Sequence, residues 1–191
     1  VIARDITERK FNEEQVRRLS SAVSENPFPI FITNLQNQIV YVNKAFESST
    51  GFSTREVLGK NPRILSSGKT PESIYRQMWT QLSKGQPWRG ELINRHKDGS
   101  EFIDRTLIYP LTDETGTITH YIAHKEDISE KKATADRLER LRHYDLLTGL
   151  PNRALLTSYF EERLHQPGRS MILIWVDLDD FKQINDMYGH E

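Results

Sequence analysis

The 191-residue chain contains no cysteine. Disulfides, thiolate metal sites and thiol nucleophiles are thereby excluded, and a reducing compartment such as the cytoplasm suits it. Nor does any apolar run approach the roughly 20 residues that a bilayer-spanning helix requires. Residues 1–25 carry charges where a signal peptide has an apolar stretch. An excess of one charge is missing too: 26 Lys and Arg face 27 Asp and Glu, a net charge of -1. No global attraction to nucleic acid or to an acidic membrane surface is expected. The length allows one domain of ordinary size plus a remainder. The chain starts with Val inside a pattern and stops at Tyr188-Gly189-His190-Glu191, so it reads as a piece of a longer protein that has room for an upstream membrane anchor.

What is present begins with an echo. Asp5-Ile6-Thr7-Glu8-Arg9-Lys10 returns as Asp127-Ile128-Ser129-Glu130-Lys131-Lys132, 122 residues later. A unit of that size ending in the same phrase reads as a tandem copy, with residues 1–8 the tail of an upstream repeat. Residues 9–25 have helical composition, with Phe11, Val16, Leu19 and Val23 as a narrow apolar stripe that Pro27 and Pro29 terminate.

Residues 26–128 then read as one α+β domain. Ile30-Phe31-Ile32 and Ile39-Val40-Tyr41-Val42 flank Asn34-Leu35-Gln36-Asn37, a hairpin signature. Asn43 and Ser53 are placed to cap two short helices. Thr70-Pro71-Glu72 has the capping and dipole chemistry of a longer helix running to Lys84, with Ile74, Tyr75, Met78, Trp79 and Leu82 on its apolar face. Three further strands are expected over 88–96, 101–111 and 117–126, the first two joined through Asp98-Gly99. Five antiparallel strands with the helices gathered between them give a sheet covered on one face.

Residues 129–144 read as a charged linker helix with Leu138, Leu141 and Tyr144 as its apolar positions, either a solvated joint or a thin dimeric coiled coil. Beyond it, Met171-Ile172-Leu173-Ile174-Trp175-Val176 has the continuous apolar run of a buried strand. That strand would place Asp177 at its end, two residues from Asp179 and on the same side. A carboxylate there suits Mg²⁺, a hard cation that shares its oxygen ligands with substrate phosphates. The blander reading makes Asp177 a polar strand end and Asp179 a helix cap. Asp145 and Arg153 read as a structural pair at the linker's end.

Two resemblances rest on these phrases. Asn26-Pro27, Ile39 to Phe46, Thr50-Gly51-Phe52, Gly59-Lys60-Asn61-Pro62-Arg63, Asn94 to Ser100 and Asp127-Ile128-Ser129 together resemble the PAS superfamily. His143-Tyr144-Asp145-Leu146-Leu147-Thr148-Gly149-Leu150-Pro151-Asn152-Arg153, with Asp177 to Asp186 and Gly189-His190, is similar to the opening of a GGDEF diguanylate cyclase domain over 145–191. The first resemblance implies a sensory or dimerising domain that signals through flanking helices in a homodimer. The second implies a palm-like α/β domain that joins two GTP molecules into cyclic di-GMP. In that family, metal is bound at the positions of Asp177 and the Leu178 carbonyl, and nucleotide at Asp180, Phe181, Lys182 and Asn185. The Gly-Gly-Asp/Glu-Glu-Phe sequence itself does not occur in residues 1–191, so this piece alone is expected to be inactive, and the parent domain is either a working cyclase or a degenerate, regulatory one.

The PAS resemblance also implies a ligand pocket. Asn61, Arg63, Trp88, Asn94 and Asp104 stand where flavin-binding PAS domains hold FAD or FMN. Pro62 replaces the cysteine of photosensory LOV domains, which excludes a flavin–thiol adduct, and Lys125 replaces a glutamine. Trp88 reads equally well as a core residue, Asn94 as a strand-end polar group. Haem is not expected, because the helix from Thr70 to Lys84 holds no histidine. His120 and His124 share strand parity without a third ligand and read as ordinary polar residues.

Overall fold

The computed structural model describes residues 2–164 and 172–189. The chain divides into a unit ending at Ala135 and a second starting at Asp136.

In the first unit, helix α1 (Ile2–Ser24) leads into a five-stranded antiparallel sheet: β1 (Ile30–Asn34), β2 (Ile39–Val42), β3 (Trp88–Arg95), β4 (Glu101–Thr112) and β5 (Ile118–Asp127), in the order β2-β1-β5-β4-β3. Between β2 and β3 run α2 (Lys44–Thr50), α3 (Thr54–Val57), a 3₁₀ turn (Pro62–Leu65) and α4 (Glu72–Leu82). The hairpin turns at Asn37, whose φ of 57° lies in the left-handed region that asparagine tolerates better than most side chains. Period-2 alternation sorts β4. Phe102, Asp104, Thr106 and Ile108 are buried, while Ile103, Arg105 and Leu107 face the other way. The buried face meets Phe46, Val57, Leu65, Met78 and Leu82 from the helices and turn. Fully burying a side chain such as Phe46 contributes about 1.5–3 kcal/mol.

Asn43 joins three parts of this unit. Its side-chain oxygen accepts from Ile30 N at 2.9 Å and, as the cap of α2, from Phe46 N at 3.0 Å. Its amide nitrogen donates to Phe28 O at 2.9 Å and, at 3.3 Å, to Val23 O and Asn26 O. The end of α1, the first strand and α2 are thus held by one buried side chain.

Two local expectations are corrected here. Thr70 does not cap α4; its hydroxyl accepts from Ile93 N at 2.8 Å, because a strand donor is the better partner for this buried hydroxyl. Pro71 takes the cap position, and the helix ends at Leu82 rather than at Lys84.

Helix α5 (Ser129–His143) crosses from the first unit into the second, and its apolar Leu138 and Leu141 are exposed. In the second unit Asp145 organises a tight turn, accepting from Thr148 N at 2.9 Å, Thr148 Oγ1 at 2.8 Å and Leu147 N at 3.2 Å. These bonds, the Thr148 backbone donor foremost, hold its carboxyl below the usual aspartate range. The expected Asp145–Arg153 pair is therefore not formed: local donors two and three residues away outcompete a distant guanidinium. Asn152 caps α6 (Arg153–Leu164) through Leu155 N and ties back to Arg142 O.

Among the described residues 172–176 the expected buried strand does not form. Met171 lies outside the described residues, and Ile172 to Leu178 are irregular and exposed. A strand needs a hydrogen-bonding neighbour, and among the described residues none pairs with this run. Helix α7 (Phe181–Tyr188) follows a turn in which Asp180 has a φ of 58°.

Candidate functional site

A cavity of about 350 Å³ opens between the sheet and the helices of the first unit. That volume lies at the small end of the roughly 300–1,000 Å³ common for small-molecule sites. Its walls are Tyr75, Met78, Trp79 and Leu82 of α4 against Phe31, Leu92, Ile108 and Tyr121 of the sheet. Trp79 meets Tyr121 edge-on at 5.9 Å. The mouth is formed by Asn61, Pro62 and Arg63 of the 3₁₀ turn. Backbone bonds Ile39 N to Lys60 O and Gly59 N to Ile39 O anchor the start of this loop on β2. Ser67 Oγ to Ile93 O, at 2.6 Å, and Thr70 anchor its far end on β3. Asn61 spends its side-chain oxygen on Arg63 N, at 2.9 Å, which winds the turn. The Arg63 guanidinium, exposed at the mouth, has no ion-pair partner among the described residues.

The cavity floor is polar and built across three strands. Asp104 of β4, 1% exposed, accepts from Asn94 Nδ2 of β3 at 2.6 Å and from Lys125 Nζ of β5 at 2.7 Å on one oxygen. Its other oxygen accepts from the Thr106 hydroxyl. An ion pair this deep holds together only because the carboxylate is also hydrogen-bonded by neutral donors. Asn94, Thr106 and Lys125 line the cavity, whereas Asp104 lies behind them. Because both Asn94 amide hydrogens sit on the nitrogen that faces the carboxylate, its oxygen is the atom left without a protein donor among the described residues.

Of the pocket residues expected from the sequence, Asn61, Arg63 and Asn94 line one cavity, and Asp104 supports it from behind. Trp88 is placed elsewhere. Its ring is 1% exposed, belongs to the core and folds over Gly90, where an added Cβ would sit 2.3 Å from the indole. Lys125 and Thr106 were not among the expected site residues, although strand parity with Asp104 would have pointed to Thr106. The residues resemble a flavin site in chemistry: apolar walls for a flat ring, an acceptor and an ammonium for its polar edge, and a guanidinium at the mouth for a phosphate. His124 packs against Phe28 at 4.9 Å on the outer side of the sheet and has no part in the cavity.

In the second unit, Asp177, Leu178, Asp180, Phe181 and Lys182 are exposed within one short stretch. Asp177 Oδ1 accepts its neighbour's Leu178 N at 3.0 Å, and Asp180 accepts from Gln183 at 3.3 Å. Asn185 falls within α7, and its side chain lies outside the described residues. Among the described residues no cluster of three or more His, Cys, Asp or Glu is assembled for a metal. Mg²⁺ needs no such cage, since one carboxylate with a carbonyl and substrate phosphates suffices. The donor set here fits that mode.

Ile103, the residue before Asp104, faces away from the cavity and holds the start of α5. Its N–H donates to Ser129 Oγ at 2.8 Å and its carbonyl accepts from Ile128 N at 2.9 Å. Asp127 accepts from Ser129 N at 2.9 Å.

Comparison with known proteins agrees with both units. A family model for the PAS fold matches residues 17–128, and one described as diguanylate cyclase, GGDEF domain, matches residues 142–191. A nitrogen fixation regulatory protein of Klebsiella oxytoca is 37% identical over 130 residues, 68% of this chain and 26% of that protein. A cyclic di-GMP phosphodiesterase of Escherichia coli is 28% identical over 99% of this chain and 28% of its own length. Among solved structures, an RNA-binding light-oxygen-voltage receptor aligns with a TM-score of 0.60 at 27% identity, over 64% of this chain and 36% of that one. A light-oxygen-voltage domain studied with a flavin analogue aligns at 0.56 and 29% identity, over 64% and 93%. The chain spans about a quarter of the length of curated relatives such as the nitrogen fixation regulatory protein. No helix among the described residues is long and apolar enough to cross a membrane. The chain belongs to the PAS family, and its PAS domain is followed by a segment of a GGDEF domain.

Proposed function

We propose that this chain is the sensing half of a cyclic di-GMP signalling protein. Its PAS domain binds a small planar ligand and controls a GGDEF output through α5. One observation carries the reading: neighbouring residues of β4 serve the cavity and the helix. Asp104 ties together the floor of the cavity, and Ile103 ties down Ile128 and Ser129 at the start of α5. An occupant that shifts the floor therefore shifts the base of the helix. The lining supports one class of ligand. The apolar walls and three-point polar floor suit a flavin, FAD or FMN, which would bring reversible electron acceptance to the site when bound. The Arg63 guanidinium is placed for its phosphate.

The same proposal assigns the output. Asp177 and the Leu178 carbonyl would hold Mg²⁺, and Asp180, Phe181, Lys182 and Asn185 would meet nucleotide, so that the parent protein joins two GTP molecules into cyclic di-GMP. The 191-residue chain alone does not do so, because the second acidic motif is not in its sequence. The working unit is a homodimer in the cytoplasm, consistent with the exposed Phe11, Val16 and Leu19 of α1 and Leu138 and Leu141 of α5. A second reading, a ligand-free PAS dimerisation module with a degenerate GGDEF domain, is favoured by the fact that Asp104 already accepts from three protein donors without any occupant.

The absorbance spectrum of the purified protein separates the two. Visible flavin bands released on denaturation are expected; a spectrum with protein absorbance alone, unchanged by added FMN and FAD, overturns the flavin reading. Cyclic di-GMP synthesis by the parent protein, assayed with GTP and Mg²⁺, tests the output.

A further inference from the structure

The Lys125–Asp104 pair is asymmetric with respect to the cavity. Both side chains are almost fully buried, at 5% and 1% exposed. Yet Lys125 lines the cavity and Asp104 does not, so an occupant meets the cation with the anion behind it. Asp104 is consumed by its three donors, on Asn94, Thr106 and Lys125. Lys125 Nζ gives one hydrogen to Asp104 and has the Phe31 ring at 6.0 Å; its two other hydrogens have no protein acceptor among the described residues. Thr106 lies directly opposite Lys125 in the sheet register and donates its only hydroxyl hydrogen to Asp104, so it too can only accept from an occupant.

The polar floor thus offers one charged donor, at Lys125, beside two acceptors, at Thr106 and Asn94. We infer that Lys125 is the specificity-determining residue of this cavity. It selects a ring whose edge carries an electron-rich oxygen or nitrogen next to an N–H, the edge of a cyclic imide or lactam, and Asp104 is its positioning residue. The inference rests on the flavin reading above and deepens it, because the pyrimidine edge of a flavin is one such imide. It also sets the preference within that class. A buried ammonium favours the member with the most negative acceptor, since a charged donor strengthens the bond and no water competes for it. A flat aromatic hydrocarbon of the same size would leave the two Lys125 hydrogens and the Asn94 oxygen desolvated and unpaired, and is rejected for that reason.

The test uses riboflavin, which has no phosphate and so keeps Arg63 out of the comparison. Binding to the 191-residue chain is followed by fluorescence quenching, and the carbonyl stretch of bound riboflavin by infrared difference spectroscopy. The variants are Lys125→Gln, which keeps a neutral donor, and the double variant Asp104→Asn with Lys125→Met, which removes the donor without stranding a carboxylate. We expect the double variant to bind about tenfold more weakly or worse, with a carbonyl stretch moved to higher frequency, and Lys125→Gln to fall between. Two variants guard against a failure of either to fold, each checked by its thermal midpoint. Wild-type and folded variant proteins that bind riboflavin equally well, with the same carbonyl frequency, overturn the inference and leave the flavin reading standing. A wild-type chain that binds no riboflavin, FMN or FAD overturns both.

Discussion

Replacing Lys125 by Met should be among the most destabilising single changes in the PAS domain. The substitution keeps the length and apolar stem of the side chain, so little cavity is created. What it removes is the ammonium that faces Asp104 at 2.7 Å, in a place where the carboxylate is 1% exposed. Asp104 keeps only Asn94 and Thr106 as donors. Breaking a buried pair on one side costs about 3–5 kcal/mol, because a charge is left without its counter-charge and without water. A domain whose whole stability is about 5–15 kcal/mol loses about a fifth of it or more. Adding Asp104→Asn removes the stranded charge, and the double variant should recover most of the loss, since a neutral pair in the same space is often no less stable. Urea unfolding monitored by circular dichroism and by the buried Trp88 measures all four corners of the cycle. The reasoning fails if Lys125→Met costs under about 1 kcal/mol, the cost of an exposed pair. It fails equally if the double variant is no more stable than the single one.

Asn43→Ala removes the acceptor of Ile30 N and Phe46 N and the donor to Phe28 O. With about 1–3 kcal/mol for each buried group left unpaired, a loss of about 3 kcal/mol or more is expected in denaturant unfolding. Gly90→Ala would place a methyl 2.3 Å from the Trp88 ring; a cost of about 1–3 kcal/mol and a shifted Trp88 emission should follow, and a neutral result would mean the indole does not lie across Gly90. Ser129→Ala strips the acceptor from Ile103 N and should cost about 1 kcal/mol, with faster amide exchange confined to Ile103 and the first turn of α5. Acid should reveal Glu56, whose carboxyl Lys97 and then Ser53 hold down from 4.5 to about 2. A depressed folded-state value means its contribution is complete above 4.5 and is lost as the pH falls through about 2. Lys97→Met should therefore lower stability above pH 4.5, leave it unchanged near pH 2, and so flatten the profile between the two.

The first unit was far more legible from its residues than the second, and the difference is physical. Strand alternation such as Phe102, Asp104, Thr106 and Ile108 is a local signal that the sheet then honours. Caps such as Asn43 and turns such as that at Asn37 act within a few residues. The apolar run 171–176 carried an equally clear local signal, but a strand is completed by its neighbours, and the described part of the second unit supplies none. The Asp145–Arg153 reading failed on the other side of the same rule, since Thr148 was closer. Within the cavity, Asn61, Arg63 and Asn94 were visible through their motifs. Trp88 shared a motif but not the location, since no pattern along the chain tells whether a buried indole turns toward a cavity or over a glycine two residues on. In the sequence Lys125 reads only as the replacement of a glutamine; its part in the floor was not foreseen, because a lysine in a strand is ordinarily solvated and its burial depends on Asp104, 21 residues away.

The adjacency of Ile103 and Asp104 also restricts how β4 can move. A strand that slid by one residue would turn Asp104 out to the far side and bring Ile103 inward, because side chains alternate. That slip would break three bonds at the cavity floor and both bonds to α5 at once. Travel along the strand axis is therefore forbidden in steps smaller than two residues, and steps that large would tear the ladder to β3 and β5. What remains compatible with every one of these bonds is a small change of tilt or twist, which under the sensing role proposed above would carry a change at the cavity floor to the first turn of α5.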